Sequence, residues 1–171
     1  MDCAIKEPYP FDKAIFSQKL NGPGLKYEVG VCIKTAHIVW TNGPFKAGKA
    51  DSTIFSEDGL LNALADEECI EVDAGYQGND KLKNPYIADS KFHRIPKSRL
   101  IPRHENVNKR LKQFAVLDQV FRHPLGQREN EAGKLEYPKH KICFDAVAVI
   151  TQLSFEFEGE LYDVDYTVTY D

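Results

Sequence analysis

Asp73 closes the run Cys69-Ile70-Glu71-Val72, and Glu105 opens the run R-H-E-N-V-N-K-R-L-K-Q-F from Arg103 to Phe114. These two carboxylates are the side chains whose type and setting best fit chemistry. Ile70 and Val72, with Cys69, predict a short buried strand that stops at an acid, a small residue and a glycine. Asp73 then stands at a strand's carboxyl end, where α/β sheets form ligand crevices. The same spacing also suits an acid that merely starts a turn. Glu105 falls in the first turn of a basic amphipathic helix, where the macrodipole favours a carboxylate with or without a function. Should the two converge, they make a hard oxygen site for Mg²⁺ or Mn²⁺, ions that take one or two carboxylates and fill their other positions with water and phosphate. Two such ions about 4 Å apart activate a water or a sugar hydroxyl and stabilise the leaving oxygen of a phosphodiester. Such a site normally needs a third carboxylate.

The charge distribution supports a phosphate-bearing partner more than the net charge does. The chain of 171 residues carries a formal charge of −4, which by itself argues against a protein that coats nucleic acid. Yet eight of its 22 Lys and Arg lie between Lys91 and Lys112, a stretch in which Glu105 is the sole acid. An acidic body with one basic stripe is the footprint of backbone phosphate contacts, although a solvated loop and helix face has the same composition. Within the stripe, Lys97, Arg99, Arg103, Lys109, Arg110 and Lys112 are candidates to hold DNA phosphates, and His104 and Asn108 to orient them.

The elements that must position these residues read as one α/β domain. Met1 to Ile5 predicts a short strand; Asn21 to Gly24 a turn; Tyr27 to Ile33 and His37 to Trp40 an antiparallel hairpin; and Gly43 to Gly48 a loop. Asp51 and Ser52 read as the cap of a helix whose apolar face is Ile54, Leu60, Leu61 and Leu64. After the strand at Cys69 to Val72 comes a basic loop, residues 79–102. A helix then begins near His104, with Val107, Leu111 and Phe114 as its buried stripe. Pro124 to Lys139 reads as a polar loop. Lys141 to Phe155 predicts a closing helix buried along Ile142, Ala146, Val149, Ile150 and Leu153. The last residues, 158–171, form an acidic tail with alternating Tyr, Val and Thr. This order gives a mixed β-sheet flanked by helices. Apolar runs are too short for a membrane span and no signal peptide opens the chain, so an intracellular protein is expected. Cys3, Cys32, Cys69 and Cys143 form no C-x-x-C pair and read as reduced thiols; His140 and Cys143 have ligand-like spacing but lack a second pair for zinc.

Five stretches in order, G-P-G-L-K-Y-E-V-G-V-C-I from Gly22, I-V-W-T-N-G-P-F from Ile38, E-V-D-A-G-Y-Q-G from Glu71, the Arg103 to Phe114 segment and H-K-I-C-F-D-A-V-A-V-I-T-Q-L from His140, resemble the DDE-superfamily endonuclease domain of Harbinger-type transposases. The resemblance implies an RNase H-like fold over residues 1–157, two Mg²⁺ or Mn²⁺ ions, and metal-dependent cutting and joining of DNA ends. By position, Asp73 matches the family's second catalytic acid and metal ligand, and Glu105 the third. The family's first acid lies in a D-G-T-like motif on the opening strand. Asp2 aligns three residues after that acid, and on an alternating strand three positions reverse the face. The first strand is therefore expected to be incomplete and the first acid to lie upstream of Met1, leaving a domain that cuts poorly. The alternative expectation is a non-catalytic DNA-binding or interaction module derived from a transposase. The resemblance also implies a separate DNA-binding partner protein and a nuclear location.

Overall fold

The computed structural model describes residues 1–32, 35–72, 79–83, 104–126, 128–129 and 135–158. Its centre is an antiparallel four-stranded sheet of β1 (Asp2–Ala4), β2 (Phe16–Ser17), β3 (Gly22–Val31) and β4 (Ile38–Lys46). β3 runs through the middle, with β1 on one side and β4 on the other. The predicted hairpin is present and longer than expected at both ends. Gly22 to Gly24 belong to β3 rather than to a turn, and Gly43 to Lys46 extend β4 rather than forming a loop. The sharp reversal lies at Asn21, which has φ 49.

Side-chain alternation along β1 and β3 sets the two faces of the sheet. Cys3, Ile5, Leu25 and Tyr27 point to one face and are all buried, joining Val107, Leu111, Leu117, Phe144, Val147 and Phe155 in a single core. Three helices supply that cover: α2 (residues 104–112), α3 (Ala115–Asp118) and α4 (Pro138–Glu158). On the opposite face Ser17 donates to Asp2 Oδ2 at 2.9 Å, and Lys26 Nζ pairs with Asp51 Oδ1 at 2.8 Å.

Asp51 therefore starts α1 (Asp51–Thr53) as an ion-pair partner and not as its cap; Ala50 holds the cap position without a side-chain bond. The expected helix to Ala65 is also interrupted. A π-helical turn, Ile54–Asp58, ends at Gly59, and a 3₁₀ turn, Leu60–Ala63, follows. A Cβ on Gly59 would lie 2.6 Å from the Ile54 carbonyl oxygen and 2.7 Å from Glu28 Oε1, so the chain turns where only glycine fits. Glu28 Oε2 accepts from Trp40 Nε1 at 2.6 Å and from the Leu60 amide at 3.0 Å, tying this corner to the hairpin.

Two further expectations are corrected. The strand at Cys69 to Val72 is reduced to β5 (Ile70–Glu71), half-buried and paired in parallel with β6 (Leu82–Lys83), apart from the main sheet; Cys69 is exposed. The closing helix exists, but Ile142, Ala146, Val149, Ile150 and Leu153 face outward. Its buried line is His140, Phe144, Val147, Ala148, Thr151 and Phe155, because Phe144 stacks on Tyr27 with ring centroids 3.8 Å apart and Tyr27 Oη meets His140 Nδ1 at 2.7 Å. The polar loop before it contains a short hairpin, β7 (Arg128–Glu129) with β8 (Leu135–Glu136). The four cysteines are free, but Cys3 is the one that is fully buried, where burial pushes its thiol up to about 11. The architecture is thus mixed α/β, an antiparallel sheet whose core face is covered by α2, α3 and α4, compatible with a nuclease fold.

Candidate functional site

α2 forms where the sequence predicts it, because Val107 and Leu111 repeat at helical spacing and both are completely buried, with Phe114 packed beside them. Burial of that stripe sets the rotation of the helix, so Glu105 and Lys109, one turn apart, are exposed and Lys112 is half-buried. Glu105 therefore presents its carboxylate to solvent on the same side of the helix as a lysine. That is the local arrangement a metal-bound phosphate needs: an oxygen ligand with open positions and a cation near by.

The basic candidates separate once the fold is considered. Arg110 turns toward α4, with its guanidinium carbon 5.3 Å from the Phe155 ring centroid and Nη1 3.5 Å from Ser154 Oγ. His104 turns toward the sheet, where its Nε2 lies 3.1 Å from the Val29 carbonyl oxygen; Asn108 Nδ2 lies 3.4 Å from its Nδ1. Burial of the ring holds His104 below the usual histidine range, with the Val29 bond acting in the opposite direction. The neutral tautomer with Nε2–H donating to Val29 and Nδ1 facing the Asn108 amide satisfies both contacts. Of the predicted phosphate contacts, Lys109 and Lys112 remain along the outer side of α2. Asp73, Lys97, Arg99 and Arg103 lie outside the described residues.

Asp2 stands on the sheet face away from α2. Its neighbours Met1 and Cys3 alternate with it, Cys3 entering the core beneath Val107 and Leu111 while Asp2 binds Ser17 on the other side. It cannot meet a carboxylate on α2 without turning β1 over. Among the described residues no group of three or more His, Cys, Asp or Glu is arranged to hold a metal ion. Glu105 fits a divalent ion as an exposed oxygen donor, and a complete site needs further carboxylates beyond those described. His140 and Cys143 do not make a zinc site, since His140 is fully buried with Nδ1 committed to Tyr27.

The contact that sequence reasoning missed is His104 to Val29. Its only trace in the sequence is the i, i+4 spacing of His104 and Asn108; the partner carbonyl is 75 residues away. No helix among the described residues is long and apolar enough to cross a membrane.

Comparison with curated proteins and with solved structures gave no match. The family model described as DDE superfamily endonuclease matches residues 3–154, which takes in the sheet, α2 and nearly all of α4. The chain belongs to the DDE superfamily of endonucleases.

Proposed function

We propose that the protein is a Harbinger-type, transposase-derived nuclease domain with an RNase H-like fold, in which Asp73 and Glu105 hold divalent metal against DNA. The observation that carries the reading is the exposed Glu105 on the polar side of α2, beside Lys109, within a chain of the DDE endonuclease family. Mg²⁺ or Mn²⁺, when bound as a pair, supplies an activated water or sugar hydroxyl and stabilises the leaving oxygen. Glu105 and Asp73 serve as oxygen ligands. Lys109 and Lys112, with Lys97, Arg99 and Arg103, neutralise the phosphates on either side of the scissile bond. Nuclear action and a separate DNA-binding partner accompany this reading as properties of Harbinger-type systems.

The orientation of Asp2 bears on a second element, the first acid of the set. Asp2 faces away from α2 and binds Ser17, so in this reading the family's first acid is a residue other than Asp2. The alternative is a binding module without chemistry. Calorimetric titration with Mn²⁺ and plasmid nicking, each run on this chain and on one extended by an upstream Asp-Gly-Thr-like segment, test both elements. The extended form is expected to bind two ions and nick, and to lose both with Asp73→Asn or Glu105→Gln. Unchanged Mn²⁺ binding in those two variants would sink the metal-site reading.

A further inference from the structure

α4 is apolar on two sides. Its inner line, with Phe144, Val147 and Phe155, fills the core. Its outer line is Ile142, Ala146, Val149, Ile150 and Leu153, all exposed, with Ile142 67% and Val149 59% accessible. At about 100° per residue, Ile142, Ala146, Val149 and Leu153 fall within roughly 60° of one another, opposite the core line. Their successive spacings of four, three and four residues are those of a helix–helix seam, whereas apolar residues scattered singly over a surface have no such period.

That spacing reads the same in both directions. An antiparallel second copy sets its Leu153 against Ile142 and its Val149 against the smaller Ala146, so large and small side chains interlock. Charge selects this direction. Lys139 and Lys141, both exposed, lie in the first turn of α4, and the exposed Glu156 lies in its last turn, the reverse of what the macrodipole favours. Lys141 also pairs with Asp145 of its own helix at 2.6 Å. A parallel pair would set each lysine against its own copy and align the two dipoles. The antiparallel pair brings Lys139 and Lys141 to Glu156 of the other copy and to the carbonyl end of its helix. The seam covers on the order of 500 Å² per copy, so a pair buries about 1,000 Å², the lower end for a specific interface.

We propose that the outer face of α4 is a homodimer surface: two copies of the chain pair through this helix, antiparallel about a twofold axis that passes between Ala146 and Val149. At this size the dimer forms with a dissociation constant of roughly 10–100 µM.

Sedimentation equilibrium on the full chain, from about 1 to 500 µM, tests this for wild type, Val149→Ser, Glu156→Lys and the double variant Lys141→Glu/Glu156→Lys. Each substitution acts twice by symmetry. Val149→Ser is expected to weaken the dimer about tenfold. Glu156→Lys should weaken it roughly fivefold, and the double variant should return toward wild type. Urea unfolding at about 1 µM, where the monomer prevails, is expected to give Val149→Ser the wild-type midpoint. Were that variant to unfold, the exposed pair Lys141 and Glu156 would still decide the matter. A wild-type chain that stays monomeric at the highest concentration overturns the proposal, and the face then belongs to another segment or another protein. A dimer unchanged by Val149→Ser forms through a different surface and overturns it too. A dimer that Glu156→Lys leaves unmoved, or that the double variant fails to restore, refutes the antiparallel pairing.

Discussion

Acidification from pH 7 to pH 4.5 should cost this protein stability through His140, whose ring is the more deeply buried of the two histidines held below their usual range. The ring is fully buried between Tyr27, at a centroid distance of 5.5 Å, and the edge of Phe121 at 4.9 Å. Tyr27, kept a phenol because burial pushes its hydroxyl far up, donates to Nδ1 at 2.7 Å, so the imidazole proton sits on Nε2, which is buried without a partner. A second proton would set two donors against each other and leave a charge among aromatic rings. Burial accordingly pushes His140 down from 6.5 to about 4. Above pH 6.5 both folded and unfolded chains carry the neutral ring and nothing is lost. As pH falls below that value the unfolded chain takes up a proton that the folded one refuses, and stability drops by ~1.4 kcal/mol per pH unit until the folded ring also titrates. At pH 4.5 the loss is roughly 2–3 kcal/mol. Urea unfolding followed by Trp40, the sole tryptophan, measures it at pH 7, 6, 5 and 4.5 for wild type and His140→Phe. The variant starts less stable, because the Tyr27 hydroxyl loses its acceptor, and the gap should close by that amount at pH 4.5. Parallel curves, or a native-state His140 resonance titrating near 6.5, would refute the reasoning.

The rotation of α4 gives a paired prediction: Phe144→Ala should cost about 3–5 kcal/mol, the usual range for emptying a buried aromatic site, whereas Ile150→Ser on the outward face should change unfolding free energy by less than about 0.5 kcal/mol. Denaturant midpoints decide it, and equal costs would mean that the helix is turned the other way. Glu28→Ala should remove the acceptor shared by Trp40 Nε1 and the Leu60 amide. The expected cost is about 1–3 kcal/mol with a shift of Trp40 emission, and an unshifted spectrum would count against the bond.

The division of the basic stripe bears on how the domain would meet DNA. Arg110 lies against Phe155 and Ser154, so its truncation removes packing between α2 and α4 as well as a charge. Lys109 is exposed and free of such a duty in the core, which makes it the cleaner probe of phosphate contact.

The amino-acid sequence alone determined the elements whose signals are local. The β3–β4 hairpin follows from alternation around a tight reversal. α2 follows from Val107 and Leu111 at helical spacing, and this spacing is enough to place Glu105 on the polar side. The order of motifs marked the endonuclease family. Tertiary structure decided what depends on partners distant in sequence. α4 has two apolar faces, and periodicity could not rank them; the stack of Phe144 on Tyr27 and the bond from Tyr27 to His140, 113 residues apart, chose the inner one. Cys69 to Val72 has the composition of a buried strand, yet burial requires a neighbouring strand, and β5 finds its partner in Leu82–Lys83 outside the main sheet. Asp51 carries the signature of a cap but meets Lys26 across the sheet face instead. His104 reads as a candidate to orient phosphates, and only the folded chain brings it to the carbonyl of Val29. In each case the local sequence fixes which conformations are cheap, and the non-local contact selects among them.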